Sequence, residues 1–358
     1  MVKLRAIVSV LAFVIVAGFS IQVGARPGAE TSSSSLPTVT GKVYRFDKIA
    51  EGVYYATTVS EMITGGNHPI IINENDVVLV DDGTTVAAAR ALLTDLKLLT
   101  NKPVRWVVNT HWHYDHLDGN SVFGSDVQII GHDYVRYALL NLDVLPKEID
   151  RHLEEMPGQM ETLKKQIGGE KDPKRRAVLE KQRAAIQAAL EELKVMKPSP
   201  PTMTYSSKMT IYRGQREIQL LFLGRGHTEG DTVVFLPKER IVCAGDLMES
   251  KPSVLVNGVF DEWITTLDAL KKLDFDTVLP GHGEPFHGTS LITAFQDYLR
   301  DLIAQVASFR KQGFTAEQTA KKVDLTSHKA DFPQIQGPGV DVVGVQRVYE
   351  WMDERAKR

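Results

Sequence analysis

The stretch Thr110 to Asn120, THWHYDHLDGN, packs His111, His113, Asp115 and His116 into six residues. Val104, Trp106, Val107 and Val108 just before it form an apolar run, so these polar side chains arrive at the edge of a core. A buried polar group without a partner costs roughly 2–7 kcal/mol. Four of them crowded together call for a shared partner. Imidazole and carboxylate are both zinc ligands, which makes a metal ion the natural one. The alternative is a hydrated surface loop that happens to be rich in histidine.

Three later segments repeat the arrangement of apolar run, short turn and potential ligand. Leu221-Phe222-Leu223-Gly224-Arg225-Gly226 leads to His227, Ile241-Val242-Cys243-Ala244-Gly245 to Asp246, and Val278-Leu279-Pro280-Gly281 to His282. Loops held at strand ends by a rigid sheet are where sites are built. A lone histidine after a strand is usually a satisfied structural residue. Four strand ends that each terminate in a nitrogen or carboxylate donor are not explained that way. The set holds five histidines and two aspartates. One tetrahedral zinc takes about four ligands, so the set suits two metals sharing a carboxylate and a water.

Together, HxHxDH at 111–116, Gly224-Arg225-Gly226-His227-Thr228, Gly245-Asp246-Leu247 and Pro280-Gly281-His282-Gly283 resemble the metallo-β-lactamase superfamily, over about Val43 to Gly288. The resemblance implies an α/β (α+β) fold, a four-layer αββα sandwich with the metals at one edge. It implies two Zn2+ per chain, one held by His111, His113 and His227, the other by Asp115, His116 and His282, with Asp246 bridging them. It also implies that Asp81, with Asp82 as competitor, braces the ligand loop from behind. Gly119, Asn120, Thr228 and Gly230 match family positions and are expected as supports. Bound zinc can lower the pKa of its water to about 7. The implied chemistry is attack by a metal-bridging hydroxide, with Asp115 as the catalytic carboxylate that orients it and relays a proton. Histidine at 113, where di-iron members tend to carry glutamate, favours zinc hydrolysis over redox chemistry.

The expected function is therefore an exported zinc hydrolase that cleaves an ester, thioester, lactone or amide bond of a small molecule. The first alternative is a β-lactamase acting on β-lactam antibiotics. Against it, Asp246 stands where one β-lactamase group has a zinc-binding cysteine, and Glu249 where that group has a lysine for the substrate carboxylate. A bridging aspartate resembles the wider hydrolase branch, including the thioesterase-like glyoxalase II members, although no basic cluster marks a glutathione site. The second alternative is an exported metal- or partner-binding protein without activity. Degenerate scaffolds lose ligands, and none of the seven is missing here.

Candidate substrate contacts are His68, Trp112, Tyr114 and Asn257, with Lys251 beside them. Each has a plainer reading: His68 as a solvated loop residue, Trp112 and Tyr114 as packing beneath the ligand loop, Asn257 and Lys251 as loop surface. His132 and His287 read as surface residues.

The elements that must position these groups are legible as periodicities. Strands are expected at 70–72 and 77–80 around the turn Asn73-Glu74-Asn75-Asp76, then at 104–108, 127–130, 209–212, 218–223, 232–236, 240–244 and 277–279. Helical spacing covers 86–99, 133–140 and 264–273. Residues 146–200 read as an inserted helical hairpin, broken at Gly168-Gly169 and Pro173, with Leu179, Ile186 and Leu193 as a packing stripe. Residues 43–290 would form the main domain and 291–358 a helical C-terminal extension, where Thr315 and Gln318 resemble a capping box.

Residues 1–25 carry Lys3 and Arg5, an apolar run from Ala6 to Gly18 and small residues at 23–25, the pattern of a cleavable signal peptide and hence of a periplasmic or secreted protein. Residues 26–42 read as a flexible leader. No stable membrane span is expected after signal removal. The net charge of −3 gives no reason to expect nucleic acid as partner. With Cys243 as its one cysteine, the chain can form no internal disulfide, and its apolar setting predicts a small buried side chain.

Overall fold

The structure, a computed structural model, describes residues 37–141, 145–197 and 199–357. The expected signal peptide and most of the expected leader lie outside the described residues.

The first sheet grows in chain order. β1 (Thr38–Thr40), β2 (Tyr44–Ala50), β3 (Val53–Thr58), β4 (His68–Ile72) and β5 (Val77–Val80) form an antiparallel meander. From β5 the helix α1 (Val86–Leu96) crosses to the parallel strand β6 (Val104–Val108). The one-turn helix α2 (Tyr114–Leu117) follows, then the parallel strand β7 (Gln128–His132) and α3 (Asp133–Leu140). The hairpin of α4 (Leu145–Gly169) and α5 (Pro173–Leu193) precedes β8 (Met203–Tyr205), which closes this eight-stranded sheet beside β7.

The second sheet has six strands. β9 (Lys208–Arg213), β10 (Arg216–Leu221), β11 (Val233–Leu236) and β12 (Ile241–Gly245) are antiparallel neighbours. The helix α6 (Phe260–Leu270) crosses to the parallel strand β13 (Thr277–Pro280), and β14 (Phe286–His287) ends the sheet. Three α-helices follow among the described residues: α7 (Ser290–Lys311), α8 (Ala316–Ala320) and α9 (Val342–Ala356).

Side-chain alternation produces the expected helix–sheet–sheet–helix layers. In β5, Val78 and Val80 enter the core between the sheets, while Val77 and Leu79 pack outward with Leu92 and Leu96 of α1. A strand covered on both faces must be apolar throughout, as this one is. In β12, Ile241 and Cys243 face the first sheet, and Val242 and Ala244 face the outer core of α6, α7 and α9. Cys243 is thus a buried packing residue, its thiol pushed up by burial. Phe260, Trp263, Phe295, Leu299, Val345 and Val348 share that outer core, so the C-terminal extension packs onto the sandwich.

Local signals set the boundaries. Thr85 accepts from Ala88 N at 3.0 Å and starts α1, and Asp172 accepts from Lys174 N at 2.9 Å and starts α5 just before Pro173. Thr315 and Gln318 exchange both bonds of a capping box at α8. Residues 38–40 correct one expectation. Thr38-Val39-Thr40, assigned to a flexible leader, is an edge strand paired with β2, because two threonines around a valine favour extended backbone.

Candidate metal centre

Five chain segments turn from apolar strand to polar loop at one edge of the sandwich. β5 runs into Asp81, β6 into His111, β12 into Asp246, β13 into His282, and the loop after β10 reaches His227. Backbone bonds lock these turns together: Asp81 N donates to Val108 O at 2.9 Å, Thr232 N to Thr110 O at 2.7 Å, and Gly281 N to Gly245 O at 2.8 Å.

The seven proposed ligands meet there. His113 Nδ1 faces His227 Nε2 at 3.0 Å, and His111 Nε2 joins them in one group of donors. Asp115 Oδ2, His116 Nε2 and His282 Nε2 form another, with His282 3.0 Å and His116 3.6 Å from the carboxylate. Asp246 stands between the two. Its Oδ2 is 3.6 Å from His227, 3.5 Å from His282 and 4.0 Å from His111, and its Oδ1 is 3.4 Å from His116.

The donor chemistry fits metal ions. Among the described residues, His111 Nε2 and Asp246 Oδ1 are buried without a hydrogen-bond partner. Burial holds the His111 imidazole well below its usual range, and burial reinforced by His113 pushes His227 down to about 3. Both rings are therefore neutral near pH 7 and offer lone pairs. At His116 burial favours the neutral ring, but Asp246, Asp115 and Asp81 outweigh it and raise its pKa well above the usual value. Burial opposes charge on Asp115 too, yet His116 and the His282 bond hold it far down. Imidazole nitrogens aimed at each other beside two carboxylates call for a cation between them.

Outer partners orient the rings. Asp81 accepts from Thr110 N and from Thr110 Oγ1, each at 2.7 Å, and its Oδ2 lies 2.9 Å from His116 Nδ1. The brace is therefore Asp81. Asp82 points elsewhere, its buried carboxylate beside the Gly119 backbone and raised by burial and by Asp81. Asn120 and Asn109 exchange amide bonds at 2.9 and 3.1 Å, which steadies the end of β6. Thr228 donates through its N and Oγ1 to Asp231, fixing the turn that carries His227. Thr110, Asn109 and Asp231 went unread in the sequence; only the spacing His227-Thr228-Glu229-Gly230-Asp231 carried a hint.

The structure corrects several candidate contacts. His68 does not line a pocket mouth and is not solvated. It lies buried in β4 with Nδ1 3.2 Å from Asp81 O, because Pro69-Ile70-Ile71-Ile72 carries it into the strand. Trp112 packs beneath the loop with Leu117, Val135 and Leu139. Tyr114 begins α2 and is half-buried. Asn257 bonds His113 rather than facing solvent, with Oδ1 2.8 Å from Nε2. Lys251 lies 3.6 Å from the buried Glu249, which burial and Asp246 push up to about 7. His132 is also buried, stacking on Phe222 and accepting from Tyr134 N at the start of α3. His287 is exposed.

Gly281 shows how tight the edge is. A Cβ there would lie 2.1 Å from Asp246 Oδ1 and 2.9 Å from His116 Cε1. Gly281→Ala is expected to displace both ligands and to cost about 1–3 kcal/mol by overpacking. Urea unfolding and metal analysis check this; a variant with normal metal content and stability would mean the pocket has room to spare.

Comparison with known proteins agrees with this geometry. Residues 65–132 match the family profile described as Metallo-beta-lactamase superfamily. The linear primary-alkylsulfatase of Pseudomonas sp. (strain ATCC 19151) is 24% identical over 272 residues, 72% of this chain and 49% of that one. The metallo-beta-lactamase type 2 of Bacillus cereus is 32% identical over 125 residues, 33% of this chain and 47% of that one. The chain spans about half the length of these curated relatives. Among solved structures, the stereoselective inverting sec-alkylsulfatase Pisa1 from Pseudomonas sp. superimposes with a TM-score of 0.63 at 16% identity, over 85% of this chain and 49% of that one.

Proposed function

We propose that this chain, which belongs to the metallo-β-lactamase superfamily, is an exported binuclear zinc hydrolase that cleaves an ester, thioester, lactone or amide bond in a small molecule. The observation that carries this reading is the convergence of five imidazoles and two carboxylates, with Asp246 within 4.0 Å of donors in both groups. His111, His113 and His227 would hold one ion, Asp115, His116 and His282 the other, and Asp246 both. When bound, divalent ions lower the pKa of their water from 15.7 toward about 7 and polarise the bond to be broken.

The protein side of the mechanism lies in placement. Asp115 and His282 are the most open of the paired donors, with side chains 18% and 22% exposed, so substrate approaches from their side. Held as a carboxylate by His116 and His282, Asp115 is placed to accept the proton given up by the attacking water and to deliver it to the leaving group as the bond breaks. The deeper donors, His111, His116 and His227, are fully buried, and Thr110 and Asp81 fix the first two from outside.

A second reading, sulfate-ester hydrolysis, is favoured by the extent of the matches. In sequence, the match to the linear primary-alkylsulfatase covers 72% of this chain, against 33% for the Bacillus cereus β-lactamase. Export is read from the apolar run at Ala6 to Gly18 after Lys3 and Arg5. Among the described residues, no helix is long and apolar enough to cross a membrane.

The test pairs metal analysis with a panel of carboxylic ester, thioester, lactone, amide, alkyl sulfate and nitrocefin. Two zinc ions per chain, loss of turnover on chelation, and cleavage of a carbonyl substrate are expected. Fast alkyl sulfate turnover alone would establish the second reading. Nitrocefin turnover with nothing else cleaved, or fewer than two metals per chain, would overturn the proposal.

A further inference from the structure

Building on the metal pair proposed above, we infer that Asn257 is a positioning residue for His113, and that the C-terminal helix α9 holds it in place. His113 turns Nδ1 toward His227 Nε2, 3.0 Å away, so Nδ1 is the metal-side nitrogen. The proton of the neutral ring then sits on Nε2, which donates to Asn257 Oδ1 at 2.8 Å. A ligating histidine commonly gives its other N–H to such an acceptor, which fixes the tautomer and the ring plane.

The other two imidazoles from the same loop find partners on their own sheet: His111 Nδ1 is 3.0 Å from Thr110 Oγ1, and His116 Nδ1 is 2.9 Å from Asp81. His113 alone of the three is served from 144 residues away, by the loop between β12 and α6.

That loop is tied on two sides where it leads into α6. Val259 N donates to Gly226 O at 2.9 Å, joining it to the turn that carries His227. On its other side Arg347 Nε of α9 donates to Gly258 O at 3.2 Å. Arg347 is mostly buried and is itself held by Glu354 at 2.7 and 3.1 Å. Trp351, one turn further along α9, donates to Asp261 Oδ1 at 3.1 Å and meets the Phe260 ring edge to face. Leu255 lies against Gly344, where an added Cβ would touch it at 3.4 Å. The path from α9 through Gly258 and Asn257 to His113 makes the C-terminal extension part of the metal centre.

The experiment loads the full chain with Zn2+ or Co2+ and measures the affinity of each ion by chelator competition, together with the Co2+ absorption spectrum. Asn257→Ala should weaken one of the two ions about 10–100-fold and shift its Co2+ bands, leaving the other ion near its wild-type affinity. Asn257→Asp keeps the acceptor and should restore both. Arg347→Gln should give a smaller loss at the same ion. Equal affinities in wild type and Asn257→Ala, or an Asn257→Asp chain that behaves like the alanine variant, would overturn the assignment. A wild-type chain that binds no metal would instead remove the functional proposal beneath it, whereas a two-metal wild type unaffected at Asn257 removes only this step.

Discussion

Replacing Asp246 with alanine should strip metal from both halves of the centre at once. Its carboxylate lies within 4.0 Å of donors assigned to each ion, with Oδ2 near His227, His282 and His111 and Oδ1 near His116. Burial opposes its charge, but His282 and His116 overcome this and hold it well below the usual carboxylate range. Removal deletes a negative charge from a pocket proposed to hold two dications and leaves the facing imidazoles without their common partner. Loss of an outer partner costs about 10–100-fold in affinity or activity, and loss of a shared ligand should exceed that at both ions. Metal content by elemental analysis and kcat/KM on whichever substrate the panel identifies would check it. An alanine variant that keeps two ions and activity within tenfold of wild type would show that Asp246 does not bridge.

Asp81→Ala is expected to have the largest effect on stability. Three hydrogen bonds converge on this carboxylate, from Thr110 N, Thr110 Oγ1 and His116 Nδ1. Breaking a buried charge pair by removing one partner costs about 3–5 kcal/mol. The backbone adds to this, because Asp81 sits at φ 58°, where alanine is strained by roughly 1–2 kcal/mol. Asn tolerates that region, so Asp81→Asn should lose less and separate the lost charge from the lost conformation. Urea unfolding of metal-free protein isolates the effect from metal binding. A loss under about 1 kcal/mol for the alanine variant would mean that Thr110 and His116 find other partners.

The convergence of the seven candidate donors was readable in the sequence because its chemistry is local. Each donor follows an apolar run and a tight turn, and strands that end at one edge bring the turns together. Asp81 and Asp82 could not be separated that way, since both follow Val80. The left-handed turn at Asp81 decides which carboxylate points at Thr110 and His116. His68 misled because Gly65-Gly66-Asn67 reads as loop, whereas pairing with Ala56 makes it a strand residue. Asn257 looked like loop surface for a different reason. Its partner His113 is remote in sequence, and no periodicity announces a contact of that kind. The helices of the insertion and of the C-terminal extension were legible from apolar spacing and Gly/Pro punctuation. What Arg347 and Trp351 touch was not, because charged and aromatic side chains at helix surfaces carry no address.

The division of the donors has a mechanical side. His111, His113, Asp115 and His116 leave the first sheet, and His227, Asp246 and His282 leave the second. Neither sheet alone carries a complete set for either ion as assigned here. Ions in this position would work as rivets between two plates, clamping the sandwich along the edge that must also open to substrate. Metal occupancy would then report whether the plates are closed, and anything that pries that edge apart would release metal before it unfolds either sheet.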